Sequence, residues 1–154
     1  MKIAFVLCEQ ILATSVALPA EMLQAAADHA HARQHKASPT ISFVATHPGP
    51  FASRSGIPLY ADNGLDQQQY DLIYLPALWR NPQTAIRQHT ALLPWLRQQH
   101  DGGALIGAAA TGVCFLAASG LLDQRPATTH WFYLDQFSAL YPAVDLKPQY
   151  LITR

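Results

Sequence analysis

The sequence predicts an α/β domain built on a doubly wound, mostly parallel sheet with helices on both faces. Three observations lead to this fold class. The chain has 154 residues, of which 50% are hydrophobic and 13% charged, a composition typical of one globular domain. Several short apolar runs have the length of buried strands. Segments with apolar residues at helical spacing separate these runs, and that alternation is typical of parallel sheets covered on both sides.

The first predicted unit is a strand followed by a helix. Ile3–Leu7 is a continuous apolar run of strand length. Ser15–Ala32 carries apolar residues at helical spacing, with Ser15 as the predicted N-cap and Pro19 in or near the first turn, where proline is tolerated. The polar stretch 33–39 is expected to end this unit.

The alternation continues through the rest of the chain. Pro48 and Pro50 indicate a loop over His47–Ser55, and Pro94 predicts either a kink or two shorter helices. Gly120 has the position of a helix C-cap. The predicted strands are Thr40–Thr46, Ile57–Tyr60, Tyr70–Leu75, Ala104–Ala109 and the start of another at Tyr150–Thr153, and the predicted helices are Pro82–Gln99, Thr111–Ser119 and Trp131–Leu140.

Three of the strands are apolar throughout and are expected at the centre of the sheet: Ile3–Leu7, Tyr70–Leu75 and Ala104–Ala109. In open parallel sheets ligands bind outside the carboxyl ends of the strands. The segments expected to converge there are Cys8–Ser15, Pro76–Asn81 and Ala108–Gly112.

Charge and composition exclude several classes of protein. Ten basic residues balance ten acidic ones, so this chain has no basic surface for nucleic acid. No apolar run reaches the roughly 18–20 residues that span a bilayer, which argues against a membrane partner. Cys8 and Cys114 lie in apolar segments and are expected as buried thiols of a cytoplasmic protein rather than as a disulfide. No Cys/His spacing predicts a metal site, and nothing points to a cofactor.

The segment around Ala110 has the steric pattern of a nucleophile elbow. A strand runs directly into a helix there, and the positions two either side of the apex, Ala108 and Gly112, are both small. Such a turn needs small residues because strand and helix backbones approach closely. From spacing alone, the favoured interpretation is an ordinary tight turn packed with alanines.

From the elbow onward the chain reads ATGVCFLA at 110–117, GLLD at 120–123 and RPATTHW at 125–131. These residues resemble the amidase-like domain of AraC-type regulators in the ThiJ/PfpI superfamily, which is class I glutamine-amidotransferase-like. The resemblance implies a flavodoxin-like form of the predicted fold and a homodimer. It also implies that 1–154 is a single domain truncated near its C-terminal end, with the DNA-binding domain outside this chain.

Carrying the family's roles onto this sequence exposes departures. The nucleophilic Cys falls on Ala110 and the acidic residue on Ser15, whereas the His is retained as His130. The glycine whose amide helps to form an oxyanion hole falls on Ala77, whose N–H is expected to be available still. A base without a nucleophile cannot perform covalent acyl transfer, so the sequence predicts a pseudoenzyme. Cys114 lies about one turn into the helix and is expected in the core, not as a substitute.

The elbow, which has Ala110 in place of a nucleophile, is predicted to be a ligand pocket. Thr111, Ser15 and His130 are expected to supply hydrogen bonds, and the helix starting at Thr111 to favour a small anionic or carbonyl-bearing ligand. The alternatives are a pocket closed by side chains or filled with water, and a His130 with a structural role beside Trp131. Arg80 lies on the loop after Pro76 and could line the pocket, but a solvated surface arginine is the favoured interpretation. The candidate ligand-binding residues are Ser15, Ala77, Leu78, Trp79, Ala110, Thr111 and His130.

The predicted function is therefore a catalytically inactive, ligand-sensing domain of an AraC-family transcription regulator. Its expected partners are a small-molecule effector, a second copy of the chain, and DNA only through a C-terminal helix-turn-helix domain absent here. One alternative is a ThiJ/PfpI-type hydrolase or an isocyanide-hydratase-like enzyme that works without the Cys. Another is an interaction module that dimerises and binds no ligand.

Overall fold

A computed structural model of the chain describes residues 1–33 and 39–154, so the polar stretch predicted to end the first unit lies largely outside the described residues. The strands, β1 to β8 in chain order, are Lys2–Val6, Thr40–Val44, Gly49–Ala52, Pro58–Ala61, Leu72–Leu75, Leu105–Ala108, Pro126–Ala127 and Asp145–Leu146. The helices, α1 to α5, are Ala13–Ala32, Pro82–Gln88, Leu92–Asp101, Val113–Ala118 and Leu134–Leu140, and 3-10 turns at Ala110–Gly112 and Trp131–Tyr133 precede α4 and α5.

The main sheet has the strand order β2-β1-β5-β6, and every pairing within it is parallel. Because successive residues of a strand point to opposite faces, β1 contributes to two cores. Ala4 and Val6 pack in the layer that contains α2 to α5. Ile3 and Phe5 pack with Val16 of α1 and with the β3–β4 hairpin. The predicted doubly wound α/β class is confirmed.

The position of one strand was predicted wrongly. Segment Ala104–Ala109 forms β6, but β6 is the outer strand of the sheet as described and not a central one. Leu105 at its start is 72% exposed. The expected strand at Tyr150–Thr153 does not form among the described residues, and Leu151 and Ile152 are exposed there.

The predicted loop His47–Ser55 contains a strand. β3 pairs antiparallel with β4, so the predicted short strand at Ile57–Tyr60 becomes one arm of a hairpin. Pro50 is tolerated because it is exposed, as prolines at sheet edges are, and needs no ladder hydrogen bond.

Helix α1 begins two residues earlier than predicted, at Ala13, with Leu12 in the N-cap position. Ser15 is therefore inside the first turn and is not the N-cap. Pro19 lies inside the helix and removes the backbone bond that would reach the carbonyl of Ser15. The Ser15 hydroxyl has another partner, described below.

The predicted helix Pro82–Gln99 is two helices, α2 and α3, but the break falls at His89 and not at Pro94. Pro94 lies in the first turn of α3, where its missing N–H costs no helical bond. Gly120, predicted as the C-cap of α4, instead follows the C-cap residue Ser119, and its φ of 79° is the left-handed conformation that ends a helix. In the part of the chain that the structure describes, no helix combines the length and apolar character needed to cross a bilayer.

Candidate functional site

The loop after β1 and the loop after β5 are joined at the carboxyl edge of the sheet. The N–H of Leu12 donates to the carbonyl of Ala77 at 3.0 Å, and the N–H of Trp79 donates to the carbonyl of Gln10 at 2.6 Å. Ile11 and Leu78 form an isolated antiparallel bridge between them. The predicted convergence of these segments is confirmed.

The strand-to-helix turn after β6 has the geometry of an elbow. Ala110 has a φ of 46°, in the left-handed region that non-glycine residues rarely adopt. At Gly112 an added Cβ would lie 2.5 Å from the carbonyl oxygen of Pro76 and 2.6 Å from that of Leu75. The close backbone approach that the small residues predict is therefore present, and the apex of the turn is an alanine.

Thr111 fixes the β5 loop to this elbow. Its hydroxyl accepts a hydrogen bond from the N–H of Leu78 at 2.9 Å and donates one to the carbonyl of Leu78 at 2.8 Å. Thr111 is buried. Because the single hydroxyl hydrogen already has an acceptor, this side chain shapes the pocket wall and has no hydrogen left for a ligand.

Ser15, in the first turn of α1, also fixes the loop after β5. Its hydroxyl oxygen accepts a hydrogen bond of 2.8 Å from the N–H of Ala77. The amide that was expected to be available for an oxyanion is thus already engaged. A ligand can use it only by competing with Ser15.

His130 is exposed and lies beside the elbow. Thr129 donates from its hydroxyl to the carbonyl of Ala110 at 3.2 Å, which ties this segment to the apex. His130 Nδ1 accepts from the N–H of Phe132 at 3.3 Å and caps the 3-10 turn that follows. Accepting at Nδ1 places the proton of the neutral ring on Nε2, so the second nitrogen is a donor rather than a base.

A cavity of about 230 Å³ lies between these loops. Six of the seven candidate residues line it, whereas Ser15 lies behind Ala77. The sequence did not single out Leu12, Phe132 or Tyr133, although the two aromatic residues follow directly on His130 and Trp131 and that adjacency was an available signal. The lining residues are Leu12, Ala77, Leu78, Trp79, Arg80, Ala110, Thr111, His130, Phe132 and Tyr133.

Neither cysteine offers a nucleophile. Cys8 and Cys114 are buried free thiols, as the sequence predicts. Burial, with the charge of Glu9 adding to it, raises the pKa of Cys8 to about 12, and burial raises that of Cys114 to about 12. Both therefore stay protonated at neutral pH. Within residues 1–33 and 39–154, no three His, Cys, Asp or Glu side chains are grouped closely enough to hold a metal ion.

A polar chain that the sequence did not reveal lies at the same edge of the sheet. The carboxylate of Glu9 pairs with Nε2 of His89, and Nδ1 of His89 is 3.0 Å from the hydroxyl of Thr46. His89 is only 4% exposed. Burial raises the pKa of the Glu9 carboxyl, but the hydrogen bond from His89 and the charges of His89 and His47 outweigh burial, so the net pKa is lowered.

The family of the chain follows from its sequence. A model of the DJ-1/PfpI family matches residues 1–146. The chain belongs to the DJ-1/PfpI family. This confirms the resemblance inferred from the elbow and from the segment around His130.

The relatives of this DJ-1/PfpI chain include transcription regulators. The HTH-type transcriptional regulator CdhR of Pseudomonas aeruginosa is 34% identical over 99 residues, which are 64% of this chain and 29% of that protein. The chain thus spans less than a third of the length of this curated relative.

Solved structures share the fold. An AraC family transcriptional regulator from Pseudomonas putida is 20% identical with a TM-score of 0.78, covering 99% of this chain and 80% of that one. A cysteine-to-alanine mutant of a DJ-1 superfamily protein from Salmonella typhimurium is 19% identical with a TM-score of 0.76, covering 99% and 77%. These likenesses establish the flavodoxin-like fold of the DJ-1/PfpI family for this chain.

Proposed function

We propose that this chain is the effector-binding domain of an AraC-family transcription regulator and that it performs no covalent catalysis. The observation that carries the proposal is the elbow. Its strained turn at Ala110 is retained above an open cavity, but the apex has no nucleophilic atom. A scaffold that keeps the shape of a reaction site without the reacting group is suited to binding.

The remaining side chains support binding over turnover. With Nδ1 of His130 accepting from Phe132, the ring offers an N–H donor to a ligand oxygen and no free lone pair for proton abstraction. The thiols of Cys8 and Cys114 are buried and protonated, so neither replaces the missing nucleophile.

The relatives support a regulatory role. CdhR and the Pseudomonas putida protein are both transcription regulators. With ten basic and ten acidic residues, this domain has no charge surplus for DNA, so we assign DNA contact to a separate helix-turn-helix domain. Such a regulator acts in the bacterial cytoplasm as a homodimer, because a DNA site with two half-sites is bound by two DNA-binding domains.

A thermal-shift screen of small polar metabolites tests the proposal. Effectors are expected to raise the unfolding temperature of the wild-type domain and to lose much of that effect in Phe132→Ala, which removes an exposed wall of the cavity. Tyr60→Ala is the matched control, because Tyr60 is 63% exposed on the hairpin. Equal stabilisation of both variants by every hit would place the effector elsewhere and overturn the proposal.

A further inference from the structure

Three loops beside the cavity are held together by backbone hydrogen bonds. The turn of the β3–β4 hairpin is fixed where the N–H of Arg54 donates to the carbonyl of Ile11 at 3.0 Å. The β5 loop is fixed one residue away, where Trp79 donates to Gln10. These two contacts bring Arg54 next to Trp79, although the two residues lie on separate loops.

Two cations lie beside the indole ring of Trp79, which lines the cavity. The guanidinium carbon of Arg54 lies 5.9 Å from the centroid of the Trp79 ring, and that of Arg80 lies 5.8 Å from it. Both arginines are exposed, and Arg80 also lines the cavity. The two positive charges therefore share one indole ring at the entrance.

No protein anion neutralises this pair in the part of the chain that the structure describes. Neither guanidinium group has a carboxylate oxygen within 4.0 Å or a hydrogen-bond partner among residues 1–33 and 39–154. Glu9 is the carboxylate on the same loop as Gln10, and it is bonded to His89. Two guanidinium groups beside one ring, neither paired with a carboxylate, create a positive potential that attracts an anion from solution.

Behind the arginines the cavity wall is mainly apolar. Leu12, Leu78 and Tyr133 contribute aliphatic and aromatic surface. A volume of about 230 Å³ accepts a body of roughly one aromatic ring, since a cavity of about 150 Å³ already holds benzene.

We propose that Arg54 and Arg80 form an anion-binding site on Trp79 and that the effector is a small organic acid, with its carboxylate at the arginines and its apolar body in the cavity. This inference rests on the proposed effector-binding function and specifies the ligand class. Guanidinium groups suit it because they bind carboxylates through paired N–H donors and retain their charge at any working pH. The sequence predicts an anion preference at the start of the helix at Thr111. Because α4 has only six residues, we assign that preference to the arginine side chains instead.

Calorimetric titration with matched acids and amides tests this inference. Benzoate and benzamide lead a panel of small monocarboxylates and their neutral primary amides, and inorganic phosphate serves as an anion without an apolar body. Benzoate is expected to bind the wild-type domain more tightly than benzamide or phosphate. Added salt should weaken the binding of both anions and leave that of benzamide unchanged.

The variants are Arg54→Gln and Arg80→Gln, with Arg87→Gln as the matched control because Arg87 is an exposed arginine on α2, outside the cavity lining. Each of the first two is expected to weaken benzoate binding by about tenfold and to leave benzamide unchanged. Unchanged unfolding midpoints would exclude a folding effect.

The outcomes separate the two proposals. Benzoate binding that is insensitive to both substitutions, or phosphate binding as tight as benzoate, would overturn the organic-acid site. Amides that bind as tightly as acids and lose affinity in Phe132→Ala would overturn it while supporting the effector pocket. Binding by no member of the panel would overturn the organic-acid site, whereas the metabolite screen with Phe132→Ala decides the effector-binding function.

Discussion

The hydroxyl of Ser15 and the backbone amide of Ala77 are joined by a hydrogen bond of 2.8 Å across 62 positions of the chain. It connects the first turn of α1 to the loop after β5. The resemblance assigns an acidic residue to the position of Ser15, whereas here the hydroxyl of Ser15 accepts a hydrogen bond from the buried amide of Ala77. Ser15 therefore holds two loops together.

Ser15→Ala is therefore expected to destabilise the domain by about 1–2 kcal/mol, because the Ala77 N–H loses its acceptor. Urea unfolding followed by circular dichroism measures this change. Thr14→Ala is the control, since Thr14 is exposed on the same helical turn and should change stability by less than about 0.5 kcal/mol. Equal effects of the two substitutions would contradict the assigned role.

Gly112→Ala is expected to cost about 3 kcal/mol, because the new Cβ would collide with the backbone carbonyls of Pro76 and Leu75. Gly107→Ala provides the comparison. A Cβ at Gly107 meets only the Tyr74 ring, at 3.9 Å, so that variant should keep or slightly raise the unfolding temperature. A tolerated alanine at Gly112 would contradict the close approach at the elbow.

The unmodified domain is expected to show no hydrolase, amidase or hydratase turnover above background. Ala110→Cys should introduce a thiol of ordinary reactivity, because the hydroxyl at Ser15 supplies no charge and is already bonded to Ala77. The pH dependence of alkylation by iodoacetamide measures this, with Ala118→Cys at the end of α4 as the reference thiol. Turnover by the unmodified protein would exclude the pseudoenzyme interpretation.

The Glu9–His89 pair predicts a loss of stability in acid. The pKa of Glu9 is lowered in the folded protein, so its contribution is present above the unfolded value, near 4.5, and is lost as the pH falls through the folded pKa. Unfolding midpoints measured from pH 7 down to acid should fall less steeply in Glu9→Gln than in the wild type. Glu21→Gln, at an exposed glutamate of α1, is the control and should give the same pH dependence as the wild type. A Glu9→Gln curve parallel to that of the wild type would show that the Glu9–His89 pair does not contribute to stability.

The domain is expected to form a two-fold symmetric dimer, because an effector domain that dimerises brings two DNA-binding domains together. Sedimentation equilibrium at micromolar concentration should give the mass of two chains. A single-chain mass over that whole concentration range would contradict the prediction for this domain.

The sequence was sufficient for features that depend on local pattern. Unbroken apolar runs predicted β1 and β5 at the centre of a parallel sheet, and the small residues around Ala110 predicted the elbow. The order of the strands was less accessible. β6 is as apolar as a central strand, but its place at the edge depends on which strands pair with it, and that information is not local.

Features that depend on distant partners were missed. The Glu9–His89 pair spans 80 positions. Arg54 belongs to no sequence motif. Its position beside Trp79 depends on the hydrogen bond from its backbone N–H to the carbonyl of Ile11, which the sequence does not reveal. Ser15 was predicted as an N-cap because hydroxyl residues favour that position, but its partner is a tertiary one.

The left-handed backbone at Gln10, Arg80 and Ala110 has a consequence for how substitutions are tolerated here. These residues have φ values of 67°, 58° and 46°, and none is glycine. Glycine or asparagine fits such angles, whereas β-branched side chains do so at a cost of roughly 1–3 kcal/mol. A saturation library would therefore reject valine and isoleucine at Gln10 and Arg80 despite the exposure of both side chains, for reasons of main-chain geometry unrelated to any ligand.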